Sequence, residues 1–249
     1  MRPIPLGLVC LALGLATAAK ADPRLDEKVY APYVLNGVSE VEVRTAQQLG
    51  GVTGGRATTV FEIERGLSDR INLSLVGALA RGPGMSTALT SIGVEGIAYL
   101  GRIPKLGVDA GLYAEYKHGL GGNQDIFEAK LLLAKTQGRF QGLLNLIVEK
   151  PLSAPTGEGI GAYGYAASAT WETWGHLRLG AEAVGDFGDD HRFLGPQGAY
   201  VGPQIKWEGR PLHSPVEIDI DAGWLTAVGT SRQEASSQFR FGFELEHRF

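Results

Sequence analysis

From Tyr33 onward, apolar and polar side chains alternate with a period of two, in stretches of about ten residues separated by glycine-rich breaks. The last stretch, QFRFGFELEHRF, puts Phe239, Phe241, Phe243, Leu245 and Phe249 on one face and Arg240, Glu244, Glu246 and Arg248 on the other. Such alternation is a strand with two chemically different walls. The pattern predicts twelve strands, over 38–46, 58–65, 70–81, 87–100, 107–118, 126–136, 140–150, 161–172, 176–187, 197–208, 216–225 and 238–249. Connections alternate too. They are tight at 66–69, 138–139 and 173–175, and longer near 50–56, 82–86, 119–125, 151–160, 188–196 and 227–236.

Alternation alone does not say which wall meets water; the charges do. One parity collects Glu40, Glu42, Arg44, Glu62, Glu64, Glu217, Asp219, Asp221, Arg240, Glu244, Glu246 and Arg248, while the other is almost uncharged through the middle of each strand. An Arg or Lys facing lipid at mid-bilayer costs about 2–4 kcal/mol, so a membrane barrel purges charge from that wall, whereas a soluble sheet has no reason to. The fold class expected is therefore all-β: a transmembrane, up-and-down antiparallel β-barrel of about twelve strands, greasy outside and polar within. Short turns at one end and longer loops at the other fit it. Tyr99, Tyr116, Phe127, Phe140, Trp171, Trp174, Trp207 and Phe249 fall toward strand ends, where interfacial girdles need aromatics.

The start, MRPIPLGLVCLALGLATAAKAD, has one Arg, an uncharged run and Ala19-Lys20-Ala21 as an A-x-A cleavage site. It reads as a secretory signal peptide over 1–21, leaving 22–249 as one barrel domain. Cys10, the single cysteine, lies in that leader, so the mature chain has no disulfide framework, thiol chemistry or Cys-based metal site. A net charge of -4 argues against a nucleic-acid partner. The 36 glycines suit sheets and turns better than long helices.

A leader, twelve alternating strands and a final aromatic strand ending in Phe resemble Gram-negative outer-membrane β-barrel proteins of the porin and transporter kind. The resemblance implies an outer-membrane location and lipid as neighbour. It also implies recognition of the C-terminal Phe249, with Leu245, Phe243, Phe241 and Phe239 before it, by the barrel-assembly machinery; His247 stands where that signal commonly has an aromatic. The stretch GLSDRINLSLVGAL, Gly66 to Leu79, is similar to the MetA-pathway phenol-degradation transporters.

If the first and last strands pair, strands eleven, twelve, one and two gather nine acids against Arg44, Arg240 and Arg248. Like charges 4 Å apart repel by about 4 kcal/mol at an effective dielectric of 20, so these carboxylates need water, counter-ions or the arginines. Two readings follow: a lumen that passes a small solute, cations or basic and hydroxylated species first, or a salt-bridged filling that plugs a non-conducting barrel. Other motifs carry less. Gly159 to Gly164 matches G-x-G-x-x-G but opens a strand, and Asp186, Asp189, Asp190 and His191 fit no calcium loop. A lipid-modifying site would use His118 with Ser86 or Thr90, without a third group to orient the imidazole. No catalytic residue, metal or cofactor is expected.

Overall fold

The computed structural model describes Leu25 and residues 27–152, 160–195, 197–210 and 215–248. The leader 1–21 with Cys10, and the terminal Phe249, lie outside these residues.

Twelve long strands run β1 Val38–Leu49, β2 Ala57–Gly66, β3 Asn72–Arg81, β4 Ala88–Ile103, β5 Val108–Gly119 and β6 Ile126–Gln137. They continue as β7 Phe140–Pro151, β8 Ala162–Trp174, β9 Leu177–Asp189, β10 Gly198–Gly209, β11 Val216–Gly229 and β12 Ser237–Arg248. Each pairs antiparallel with its sequence neighbour, and β1 pairs β12 from Val38↔Arg248 to Leu49↔Ser237, so the sheet closes into a barrel. All twelve predicted strands are present. The largest differences are at ends: β4 runs on to Ile103 because a bulge at Tyr99/Gly101, with Gly101 at φ 115, absorbs one residue and lets pairing with β5 resume. β11 runs on to Gly229.

The predicted wall assignment holds. Leu73 and Leu75 on β3 are 48% and 65% exposed, whereas Ser74 between them is 2% exposed. Ile63 is exposed beside buried Glu62, and Val41 beside buried Glu42. Tyr116, Phe127, Trp171 and Trp174 face outward near strand ends as girdle residues should. Tyr99 does not. It shares parity with Glu95 and Ile97, points into the lumen and donates its hydroxyl to Asp109 at 2.8 Å.

The lumen is not lined by polar strands alone. Before β1, Leu25 and residues 27–36 thread through it as a strap. Tyr33 lies low, at the short-turn end, beside Asp109. Tyr30 lies midway, and the Leu25 carbonyl accepts from Gln238 at the long-loop end. Close passage demands small residues on the wall: a Cβ on Gly66 would sit 2.0 Å from the Leu35 carbonyl oxygen, and one on Gly111 2.8 Å from Pro32. Pro32 also explains why this segment joins no ladder, since it offers no N–H.

Candidate functional site

Register brings the predicted lumen residues together more tightly than parity alone implied. Across β2, β1, β12 and β11 the pairs Glu62↔Glu42, Glu42↔Glu244 and Glu244↔Asp219 line up as one row of four carboxylates. One step closer to the short-turn end, Glu64↔Glu40, Glu40↔Glu246 and Glu246↔Glu217 form a second. Like charges directly opposite destabilise a sheet, so each row needs cations. Arg44, on β1, reaches Glu62 at 3.0 Å and Glu42 at 3.5 Å; Lys206, on β10, reaches Asp219 at 3.7 Å. The remaining cation comes from the strap: Lys28 Nζ stands 2.5 Å from Glu42, 3.3 Å from Glu244 and 3.9 Å from Glu40. The second row has fewer such partners. Arg210 meets Glu217 at the rim, 3.0 Å away. Of the other predicted residues, Arg240 pairs with Glu182 at 3.1 Å, Asp221 lies against Gly242, and Arg248 is exposed at the short-turn rim.

The strap is held on its other side by β4 to β7. Glu27 binds Lys130 at 2.5 Å, and Lys130 in turn lies over the rings of Tyr30 and Tyr113 at 4.5 and 4.3 Å. Asn145, fully buried, clasps the backbone of one strap residue with both ends of its amide: its Oδ1 accepts from the Tyr30 N–H at 2.7 Å and its Nδ2 donates to the Tyr30 carbonyl at 2.9 Å. A strand neighbour would make the same two bonds. The Tyr30 hydroxyl donates to Glu95 at 3.2 Å.

Toward the long-loop end one sector of the lumen turns apolar, contrary to the expectation of a polar lining throughout, while Glu115, Glu128 and Glu149 keep β5 to β7 charged at that level. Ile147, Ala166, Val184, Tyr200, Leu225, Ala227 and Ala235 form one buried cluster against Val29 of the strap. Parity could not show this, because it separates the two walls without fixing how the inner one changes along its length. The loop after β11 adds a lid: a 3-10 turn over Thr230–Gln233 buries Ser231 and Ala235, and the Glu234 carbonyl accepts from Thr53 of the β1–β2 loop at 3.0 Å. The strap divides the lumen. The larger chamber, open in part to solvent, is lined by Lys28, Arg44, Glu182, Lys206, Asp219 and Arg240 among others. A smaller one on the other side lies against Tyr113, Glu115, Lys117 and Lys130.

At the long-loop rim, His118 has the orienting group its sequence neighbourhood did not reveal: Nδ1 lies 2.8 Å from Asp125 Oδ1. Of the two candidate nucleophiles, the Thr90 hydroxyl is turned away to the Ala78 carbonyl on β3. Asp125 also accepts from the Gly119 N–H and the Tyr116 hydroxyl, both 2.9 Å, which hold its carboxyl below the usual range. Asp190 repeats the device. It accepts from the Gly161 N–H and the Tyr163 hydroxyl, each at 2.7 Å, and its carboxyl too is depressed. Asp189 caps the N–H groups of His191 and Arg192. These acids tie down loops. Among the described residues the group that brings three carboxylates within 4.8 Å is Glu40, Glu244 and Glu246, and Lys28 supplies a cation to two of them.

Among solved structures the chain is similar to the COG4313 outer membrane channel from Pseudomonas putida F1, at TM-score 0.57 and 11% identity over 87% of this chain and 97% of that one. It is similar to the NanC porin at TM-score 0.55 and 9% identity, over 84% and 100%. It is similar to the KdgM porin in complex with disordered oligogalacturonate at TM-score 0.54 and 11% identity, over 84% and 99%. The fold is that of outer-membrane porin and channel barrels. No family model matches the chain and no curated protein matches it, so the likeness of Gly66 to Leu79 to phenol-degradation transporters stands on that stretch alone.

Proposed function

We propose that the chain is an outer-membrane channel for a small polar solute, held shut in this conformation by its own N-terminal strap. The observation that carries the reading is the Lys28 contact with Glu42 and Glu244. A permanent filling needs no charged residue delivered by a separable segment, whereas a gate needs bonds that break together. With the strap withdrawn, the rows from Glu62 to Asp219 and from Glu64 to Glu217 face one continuous bore, a setting that concentrates cations. Arg44 Nε, Gln204 Oε1 and Asp219 Oδ1 are buried without hydrogen-bond partners, and all three residues line the larger chamber. Donors and acceptors side by side suit a hydroxylated or zwitterionic solute. The polyanionic cargo of the KdgM porin complex is a poor guide here, because carboxylates would repel it.

Planar-bilayer recording tests the reading. The mature chain is expected to conduct little, and a variant lacking residues 22–36 to conduct steadily, with a reversal potential in a KCl gradient that favours potassium. A folded strap-less barrel that stays silent, or that prefers chloride, overturns the proposal in favour of a plugged structural barrel. The short-turn end is assigned to the periplasm by the usual loop asymmetry.

A further inference from the structure

While the acids gather inside the barrel, most of the exposed bases gather on its rims, and more of them at one end than at the other. Around the short-turn rim from β2 to β7, Arg65, Arg70, Arg102, Lys105, Lys135 and Arg139 are all exposed. Arg210 and Arg248 are also exposed at this end, past β10 and β12, but toward the lumen side, where Arg248 shares the parity of Glu244 and Glu246 and Arg210 meets Glu217. Among the described residues Asp69 is the exposed acid at that end; Glu172 and Glu217 are half-buried. Two of the cations have acidic neighbours, Arg102 with Asp109 at 3.7 Å and Arg210 with Glu217 at 3.0 Å. The long-loop end is less one-sided: Lys150, Arg192 and Arg232 are exposed there with Asp190, and half-buried Asp125, Asp189 and Glu234 stand beside half-buried Arg56 and Arg81. In a chain of net charge -4, so one-sided a rim is a deliberate distribution.

The cations also have apolar company. Leu67 shares a turn with Arg70, and Leu106 shares one with Lys105; the two leucines are 58% and 61% exposed. Ile103 and Trp174 are exposed at the same level. Apolar side chains that enter a bilayer beside long cationic ones that stay at its surface are the pattern of an interfacial anchor. We propose that this rim binds the anionic phospholipid headgroups of the periplasmic leaflet. The charges are strung along the circumference rather than massed on one patch, which suits many small anions side by side. A single soluble polyanion would need a continuous face.

The inference rests on the periplasmic assignment of the short-turn end made above, and it stands or falls apart from any conductance. Spin-labelled phosphatidylglycerol and phosphatidylcholine of equal chain length, mixed into vesicles carrying the mature chain, report which lipid is held at the protein surface. At low salt the association constant for phosphatidylglycerol is expected to exceed that for phosphatidylcholine by about fivefold, the effect of roughly one cation per headgroup. The ratio is expected to fall toward one in high salt. It is expected to fall likewise in the triple variant Arg70→Gln, Lys105→Gln, Arg139→Gln, whose changes lie on exposed turns; its folding is checked by heat-modifiable mobility in gels. A ratio of one in the unaltered protein overturns the proposal, as does a ratio the three substitutions leave unchanged. Binding of the unaltered protein but not the variant to heparin, with no lipid preference, would assign the rim to a soluble polyanion and overturn it too.

Discussion

A single buried amide decides how firmly the strap sits. Asn145 satisfies both the N–H and the carbonyl of Tyr30. Asn145→Leu leaves an N–H and a carbonyl unpaired in the lumen, each costing on the order of 1–3 kcal/mol. The strap is then expected to leave for part of the time, seen in single-channel records as openings absent from the unaltered protein. At the opposite rim, Asp125 and Asp190 each accept a glycine N–H and a tyrosine hydroxyl, which lowers their carboxyl pKa. A depressed folded-state pKa means stability that is complete above the ordinary Asp value and is lost as pH falls through the lower, folded one. The loops 120–125 and 190–195 are therefore expected to stay ordered at pH 5 and loosen below about pH 3–4. Carboxyl carbon chemical shifts across a pH titration check this; midpoints near the unfolded value would refute it.

At the scale of elements, the strap was the least legible part and the strands the most. Period-two alternation located all twelve strands because each separates lipid from lumen, so every second residue is constrained. The strap obeys no period, since its side chains meet different strands on every side. One signal for it was present: nine acids against three bases in the closing sector left a demand for cations that the strands themselves do not meet, and Lys28 answers part of it. Reversing that charge makes the point testable. Lys28→Glu replaces attraction to Glu42 by repulsion of about 4 kcal/mol at 4 Å and an effective dielectric of 20, and Glu42→Lys in the same chain should restore the pairing. In a background with Ala31→Cys and no other cysteine in the mature chain, a water-soluble maleimide is expected to label the single mutant at least tenfold faster than the double. Equal rates would detach the strap from its ion pairs.

For the whole molecule the governing division is between a lipid-facing and a lumen-facing wall, and it was readable from charge parity because a bilayer tolerates so few errors. Leu73→Arg, on the outer wall, is expected to lower stability by about 2–4 kcal/mol, whereas Ser74→Ala, one residue along and facing inward, should cost less than 1. Urea unfolding from vesicles would show whether the two differ in that order. What parity could not give is the change of lumen chemistry along the axis. Ile147, Val184, Tyr200 and Leu225 occupy inward positions that chain chemistry elsewhere reserves for charge, and the apolar ceiling they make with Val29 depends on the strap being in place.

Lys28 touches the first strand through Glu42 and the last through Glu244. These are the two edges that must find each other before the cylinder is whole, and they lie at opposite ends of the chain. A slip of one residue between them would swing Glu244 out toward the lipid and leave the ammonium with half its partners. The leading segment thus acts as a stitch drawn across the final seam, rewarding the correct alignment at the moment the wall shuts.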